Sequence, residues 1–174
     1  GSCFPKDTLA LVKTAEQHSS DLSIVDAVVG YNQARKIAMA DRVIAAMGGL
    51  VAGAKIAILG LAFKPETDDM RDSPSLDIID ALTKAGAVLR AYDPKAMDEA
   101  RHLLPQDVTF CDSATDCLNG TDAAVIVTEW NEFRALTPAQ FAAAMRGRVL
   151  VDLRNVYEPD AMQDAGFIYL SIGR

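Results

Sequence analysis

The sequence predicts an α/β fold with a parallel sheet covered by helices on both faces, preceded by a long helix. Three observations predict it. After Gly53, short apolar runs alternate regularly with helical segments, the pattern of a parallel sheet built by crossover helices. The runs are almost continuously apolar, as strands buried on both faces require. Before Gly53 the texture is helical throughout.

Residues 8 to 18 place Leu9, Val12 and Ala15 at helical spacing, with Asp7 or Thr8 as the expected N-cap, since either side chain can accept from a free backbone N–H. A longer pattern runs from Ser23 to Met47, with Ile24, Val28, Tyr31, Ala34, Ile37, Ala38, Ile44 and Met47 as its apolar stripe and Gly48-Gly49 closing it. At 1.5 Å per residue it would be about 38 Å long, more than a compact domain of this size needs. It is expected to bridge two bodies or to pack against another subunit. Strands are expected at 55–61, 88–92, 108–110, 123–127, 149–153 and 167–171. Between the first two lies a helix with Ser73 as N-cap, Pro74 at its first position and Gly86 past its end. Further helices are expected at 97–104, 113–118, 138–145 and 159–165.

The chain has 174 residues, half of them apolar, and a net charge of 17 − 24 = −7. That length suits one full domain plus a remainder, here 53–174 and 1–52. The acidic balance excludes a general affinity for nucleic acid or anionic membranes, because both need a surplus of Lys and Arg. The longest apolar stretch, Ile56 to Phe63, is far shorter than the roughly 20 residues of a spanning helix. A soluble, cytoplasmic protein is expected. Cys3, Cys111 and Cys117 lack metal-ligand spacing, so neither a zinc site nor a disulfide framework is expected. The opening Gly1-Ser2-Cys3, without Met, reads as a tag scar or as part of something longer.

The segment Leu59-Gly60-Leu61-Ala62-Phe63-Lys64-Pro65 comes directly after a strand but fails Gly-x-Gly-x-x-Gly. Only Gly60 is present, and the next helix starts more than ten residues later, so no close approach to a dinucleotide pyrophosphate is encoded. The chain continues instead into a polar loop at the carboxyl end of the strand, where open parallel sheets hold their ligands. Its Lys64 and Arg71 serve either local ion pairs with acidic neighbours or a phosphate or carboxylate site. Arg154 lies just past another strand end, and with Lys64 it could complete a common anion site. Cys3, beside Lys6 and a helix start, sits where a thiolate nucleophile is favoured, against the usual alternative of an inert thiol. Cys111 and Cys117 read as core thiols, His18 and His102 as poor general bases, and the lone Trp130 as packing.

Taken in order, Gly1-Ser2-Cys3-Phe4-Pro5-Lys6-Asp7, Gly60-Leu61-Ala62-Phe63-Lys64-Pro65-x-Thr67-Asp68-Asp69-x-Arg71-x-Ser73-Pro74, Tyr92-Asp93-Pro94, Val127-Thr128-Glu129-Trp130 and Asp152-x-Arg154-Asn155 resemble the motifs of the nucleotide-sugar 6-dehydrogenases across the whole chain. Phe4 and Lys64-Pro65 look more like members acting on UDP-glucose than on GDP-mannose. The resemblance implies a Rossmann-like UDP-sugar-binding domain over 53–174, and over 1–52 a catalytic loop and a central helix that builds a homodimer. It implies NAD-dependent, two-step oxidation of UDP-glucose to UDP-glucuronate, with Cys3 as nucleophile and Asp7 assisting proton transfer. Lys6 and Arg71 match positions near NAD; Phe63, Lys64 and Arg154 match positions that hold the UDP-sugar. The family's Gly-rich NAD-binding domain and a second catalytic lysine lie upstream of the cysteine motif, and these residues supply neither. The chain is therefore expected to be a carboxyl-terminal part, inactive alone. Two alternatives are a dehydrogenase of GDP-mannose or a UDP-N-acetylhexosamine, and a non-catalytic nucleotide-sugar-binding module.

Overall fold

The computed structural model describes residues 3–174, so the opening Gly1-Ser2 lies outside the described residues. Two helices come first, α1 (Cys3–Gln17) and α2 (Ser23–Ala46), and then six strands and six further helices. In order these are β1 (Lys55–Leu59), α3 (Pro74–Lys84), β2 (Val88–Tyr92), α4 (Met97–Leu103), β3 (Thr109–Phe110), α5 (Ala114–Leu118), β4 (Ala123–Ile126), α6 (Asn131–Arg134), α7 (Pro138–Ala144), β5 (Val149–Asp152), α8 (Pro159–Asp164) and β6 (Ile168–Ser171). All six strands are parallel, in the order β3-β2-β1-β4-β5-β6. Between β1 and β4 the winding reverses, and the crossovers on either side leave a crevice at the carboxyl ends of these two strands. That is the Rossmann-like α/β architecture expected.

The sheet is covered as its composition demands. β4 is buried along its whole length and β1 at every residue after Lys55. Leu59, Ile78, Leu82, Val125 and Phe141 belong to one core that continues into Ala40 and Val43 of α2. The α3 caps form as predicted: the Ser73 side chain accepts from the Ser75 amide and Pro74 opens the helix.

One expectation fails, and the α2 stripe is divided. Neither Asp7 nor Thr8 is an N-cap, because α1 starts at Cys3. Pro5 is tolerated in that first turn, where backbone N–H groups have no intrahelical acceptor to lose, and the Thr8 hydroxyl donates back to the Phe4 and Pro5 carbonyls at 3.0 and 2.9 Å. The α2 stripe is only half a core stripe. Its carboxyl-terminal half buries Ala40 and Val43, but Ile24, Val28, Tyr31 and Ile37 are exposed. At 24 residues the helix is about 36 Å long. No helix among the described residues is long and apolar enough to cross a membrane.

Candidate functional site

Each motif of the sheet domain lies at the carboxyl edge of the sheet, and the local chemistry explains why. β1 ends at Leu59, and Gly60 turns the chain at φ +90° while its amide donates to Tyr92 O at 2.9 Å. The loop beyond is anchored from three directions. Asp93, fully buried after β2, accepts from the Leu61 and Ala62 amides at 2.7 and 3.0 Å. The Ser73 and Ser75 hydroxyls both donate to Leu61 O at 2.6 Å. From the end of β4, Thr128 Oγ1 donates to Ala62 O at 2.5 Å. The same Asp93 accepts from Trp130 Nε1 at 3.1 Å and from the Lys95 and Ala96 amides at 2.9 Å each. Five donors on one carboxylate offset the cost of burying it.

Asp152 repeats the device at the end of β5. Fully buried, it accepts from the amides of Arg154, Val156 and Tyr157 at 2.9, 2.7 and 3.0 Å, and from the Tyr169 hydroxyl at 2.7 Å. Burial first, and then the Asp152 hydrogen bond and charge, raise the Tyr169 phenol far above its ordinary value, so it stays a donor.

Arg154 projects from this loop toward Glu129 at the end of β4. Its Nη2 donates to Oε1 at 2.6 Å and its Nε lies 2.5 Å from Oε2. Burial alone would raise the Glu129 carboxyl, but hydrogen bonding and attraction from Arg154 outweigh it and hold that carboxyl below its ordinary value. Arg154 lines a cavity of about 300 Å³. The cavity is walled by Phe4 and Pro5 of α1, Asn32 and Lys36 of α2, the start of α3, and Val127 at the end of β4.

The structure therefore gathers some of the expected residues and separates others. Arg154 faces the cavity with the first turn of α1. Cys3 is exposed at the start of that helix, within electrostatic reach of Arg71. The Arg71 guanidinium is held charged mainly by its hydrogen bonds and attraction to Asp69, with Cys3 contributing less. Its Nε and Nη2 donate to Asp69 at 2.8 and 2.9 Å. Lys6 and the exposed Asp7 lie on α1 outside the cavity wall. Phe63 and Lys64 share the carboxyl edge with Arg154 but do not line the cavity, which takes Asp72 and Pro74 from the far end of their loop instead. Lys64 is exposed and forms no ion pair among the described residues. Cys111 and Cys117 are buried, as expected.

Sequence reasoning missed Asp93, Asp152 and Glu129 as organisers of these loops. A signal was present: an Asp closing or directly succeeding an apolar strand, twice, at the edge where ligands bind. The β1–α3 turn is not a dinucleotide cradle. Where a Gly-rich loop would admit a pyrophosphate, the space beside Gly60 is filled by Thr128, and α3 starts only at Pro74.

Residues 57–159 match the family model described as UDP-glucose/GDP-mannose dehydrogenase family, UDP binding domain. Over its full length the chain is 51% identical to a UDP-glucose 6-dehydrogenase of Rhizobium meliloti and covers 40% of it. A UDP-glucose 6-dehydrogenase of Bacillus subtilis is 39% identical over the whole chain, which covers 38% of it. The chain thus spans about two-fifths of the length of these curated relatives. Among solved structures, a UDP-glucose dehydrogenase from Pyrobaculum islandicum superposes with a TM-score of 0.79 at 32% identity, over 98% of this chain and 37% of its own. An NDP-N-acetyl-D-galactosaminuronic acid dehydrogenase from Methanosarcina mazei Go1 superposes with a TM-score of 0.86 at 29% identity, over 100% of this chain and 38% of its own.

Proposed function

Because the chain belongs to the UDP-glucose/GDP-mannose dehydrogenase family and carries its UDP binding domain, we propose that it holds the UDP moiety of UDP-glucose for an NAD-dependent, two-step oxidation to UDP-glucuronate. The observation that carries this is the conjunction of cations and topology. Arg154, past the end of β5 beside β4, and Lys64, past the end of β1, lie on the carboxyl edge around the β1/β4 reversal, where an open parallel sheet receives its ligand. A guanidinium can meet a diphosphate through paired N–H groups, and an ammonium can meet it as a point charge. Phe63 lies in the same loop as Lys64 and supplies an apolar surface. In this assignment residues 53–174 form the UDP-sugar-binding domain, and residues 1–52 form the catalytic loop and dimer helix.

The covalent chemistry falls to the start of α1. The Cys3 sulfur adds to the C6 aldehyde to give a thiohemiacetal, whose oxidation yields a thioester that water cleaves, with Asp7 taking the proton. Covalent capture divides a hard oxidation into easier steps and retains a reactive aldehyde. NAD is the electron acceptor required, and Lys6 and Arg71 are the residues of this chain assigned to its edge. The exposed Ile24, Val28, Tyr31 and Ile37 of α2 suit a second copy of the chain, and sedimentation decides between one copy and two.

Calorimetric titration of the chain with UDP and GDP tests the binding assignment. UDP should bind more tightly than GDP, and Arg154→Ala should weaken UDP by about thirtyfold, the order expected for a charge-assisted hydrogen bond to phosphate. Equal or absent binding of both nucleotides would refute it. The nucleophile is tested in the longer enzyme: Cys3→Ala should abolish formation of UDP-glucuronate, and oxidation to completion at the normal rate would remove Cys3 from the mechanism.

A further inference from the structure

We propose that Glu129 is a positioning residue for Arg154, gripping the guanidinium side-on so that its remaining edge is aimed at the phosphate oxygens of a nucleoside diphosphate. This rests on the assignment of Arg154 to UDP made above.

Arg154 is fixed twice. Its backbone amide is bound to buried Asp152 at 2.9 Å, and its side chain is bound to Glu129 through Nη2 at 2.6 Å with Nε 2.5 Å from the second carboxylate oxygen. Guanidinium is planar and carries five N–H donors in a rigid fork. Glu129 takes one N–H of Nη2 in a hydrogen bond, and the Nε edge lies against its second oxygen as an ion-pair contact. Three N–H groups remain, two on Nη1 and one on Nη2, and because the group is planar the fork fixes their direction. They form a second bidentate edge.

The exposures fit that division of labour. The Glu129 side chain is 22% exposed and that of Arg154 38%, so the carboxylate lies beneath while the cation opens toward the cavity. Glu129 stands at the end of β4 and Arg154 just past the end of β5, the adjacent strand, so the rigid sheet sets their separation. A free arginine would lose rotamer freedom on meeting phosphate, whereas here that ordering precedes the ligand.

The rival role for Glu129 is a competing internal anion that diphosphate must displace or repel, and it predicts an effect of opposite sign. UDP and uridine are titrated calorimetrically into the 174-residue chain and into Glu129→Gln, Glu129→Asp, Arg154→Ala and the Glu129→Gln/Arg154→Ala double variant, with thermal unfolding confirming that each is folded. Glu129→Gln should weaken UDP about tenfold and leave uridine unchanged, since a merely structural lesion would move both. Glu129→Asp keeps the charge but shortens the side chain that grips the fork, and should weaken UDP as well. In the Arg154→Ala background the Glu129 substitution should have no further effect. Unchanged or tighter UDP binding by Glu129→Gln overturns the positioning role, as does an undiminished effect in the double variant. If Arg154→Ala alone leaves UDP affinity intact, the Arg154 assignment itself has failed.

Discussion

Gly60→Ala should lower the unfolding free energy by about 4 kcal/mol, summing the usual costs of a strained backbone and of an overpacked core. Gly60 holds φ +90°, which an L side chain rarely adopts. An added Cβ would lie 2.6 Å from Thr128 N, 2.7 Å from Thr128 Cβ and 2.8 Å from Thr128 O. Two of those atoms are backbone and cannot rotate away. Something must shift, and the nearest candidate is the β4 end, where Thr128 Oγ1 holds Ala62 O at 2.5 Å. Stability and loop geometry therefore fail together. For a chain of this size the melting temperature should fall by about 10 °C, read by circular dichroism. A melting temperature unchanged within error would show that the β1–β4 junction is softer than its contacts require.

Asp93→Asn should cost about as much, again roughly 4 kcal/mol, by a different route. Oδ2 accepts from Leu61, Ala62 and Trp130, and Oδ1 from Lys95 and Ala96. An amide replaces one of these oxygens with an NH₂ group. In either orientation at least two donors, one or more of them buried, lose their acceptor and confront another donor. The single tryptophan is one of Asp93's own partners, so its fluorescence reports directly on the damage. The urea midpoint from Trp130 emission should drop sharply in Asp93→Asn and in Asp93→Ala. Midpoints equal to the parent's in both variants would mean that these hydrogen bonds contribute no net stability.

The sheet could be read from the sequence because its strands are short, apolar and punctuated. The α3 boundaries emerged cleanly because Ser73, Pro74 and Gly86 each have one physical use there. The start of α1 did not, since Pro5 resembles a helix breaker and is one except in a first turn. The amphipathic pattern of α2 marked apolar residues correctly but could not say what covers them, and Ile24, Val28, Tyr31 and Ile37 are left exposed. The motifs of the sheet lie at its carboxyl edge, as their positions after the strands indicated. They could not show that Arg154 is paired with Glu129, that Lys64 lies apart from the cavity, or that Asp93 and Asp152 are buried. Polar residues at strand ends become buried only when distant loops close over them, and that depends on tertiary geometry rather than local pattern.

The reversal of winding between β1 and β4 also bears on the order in which the molecule acquires its parts. β1, β2 and β3 are linked by successive crossovers, as are β4, β5 and β6, so each half can assemble from contacts close in sequence. Pairing β1 with β4 instead matches Ile56 with Ala123, closing a loop over the whole first half. Its entropy cost grows only with the logarithm of length, yet it must be met before any contact across the junction forms. The Thr128 hydrogen bond to Ala62, the Trp130 hydrogen bond to Asp93 and the cavity itself all lie across that junction or beyond it. Neither half alone can present the site. Nucleotide binding in a refolding experiment should therefore appear with the last cooperative phase, after helix and strand content have been recovered.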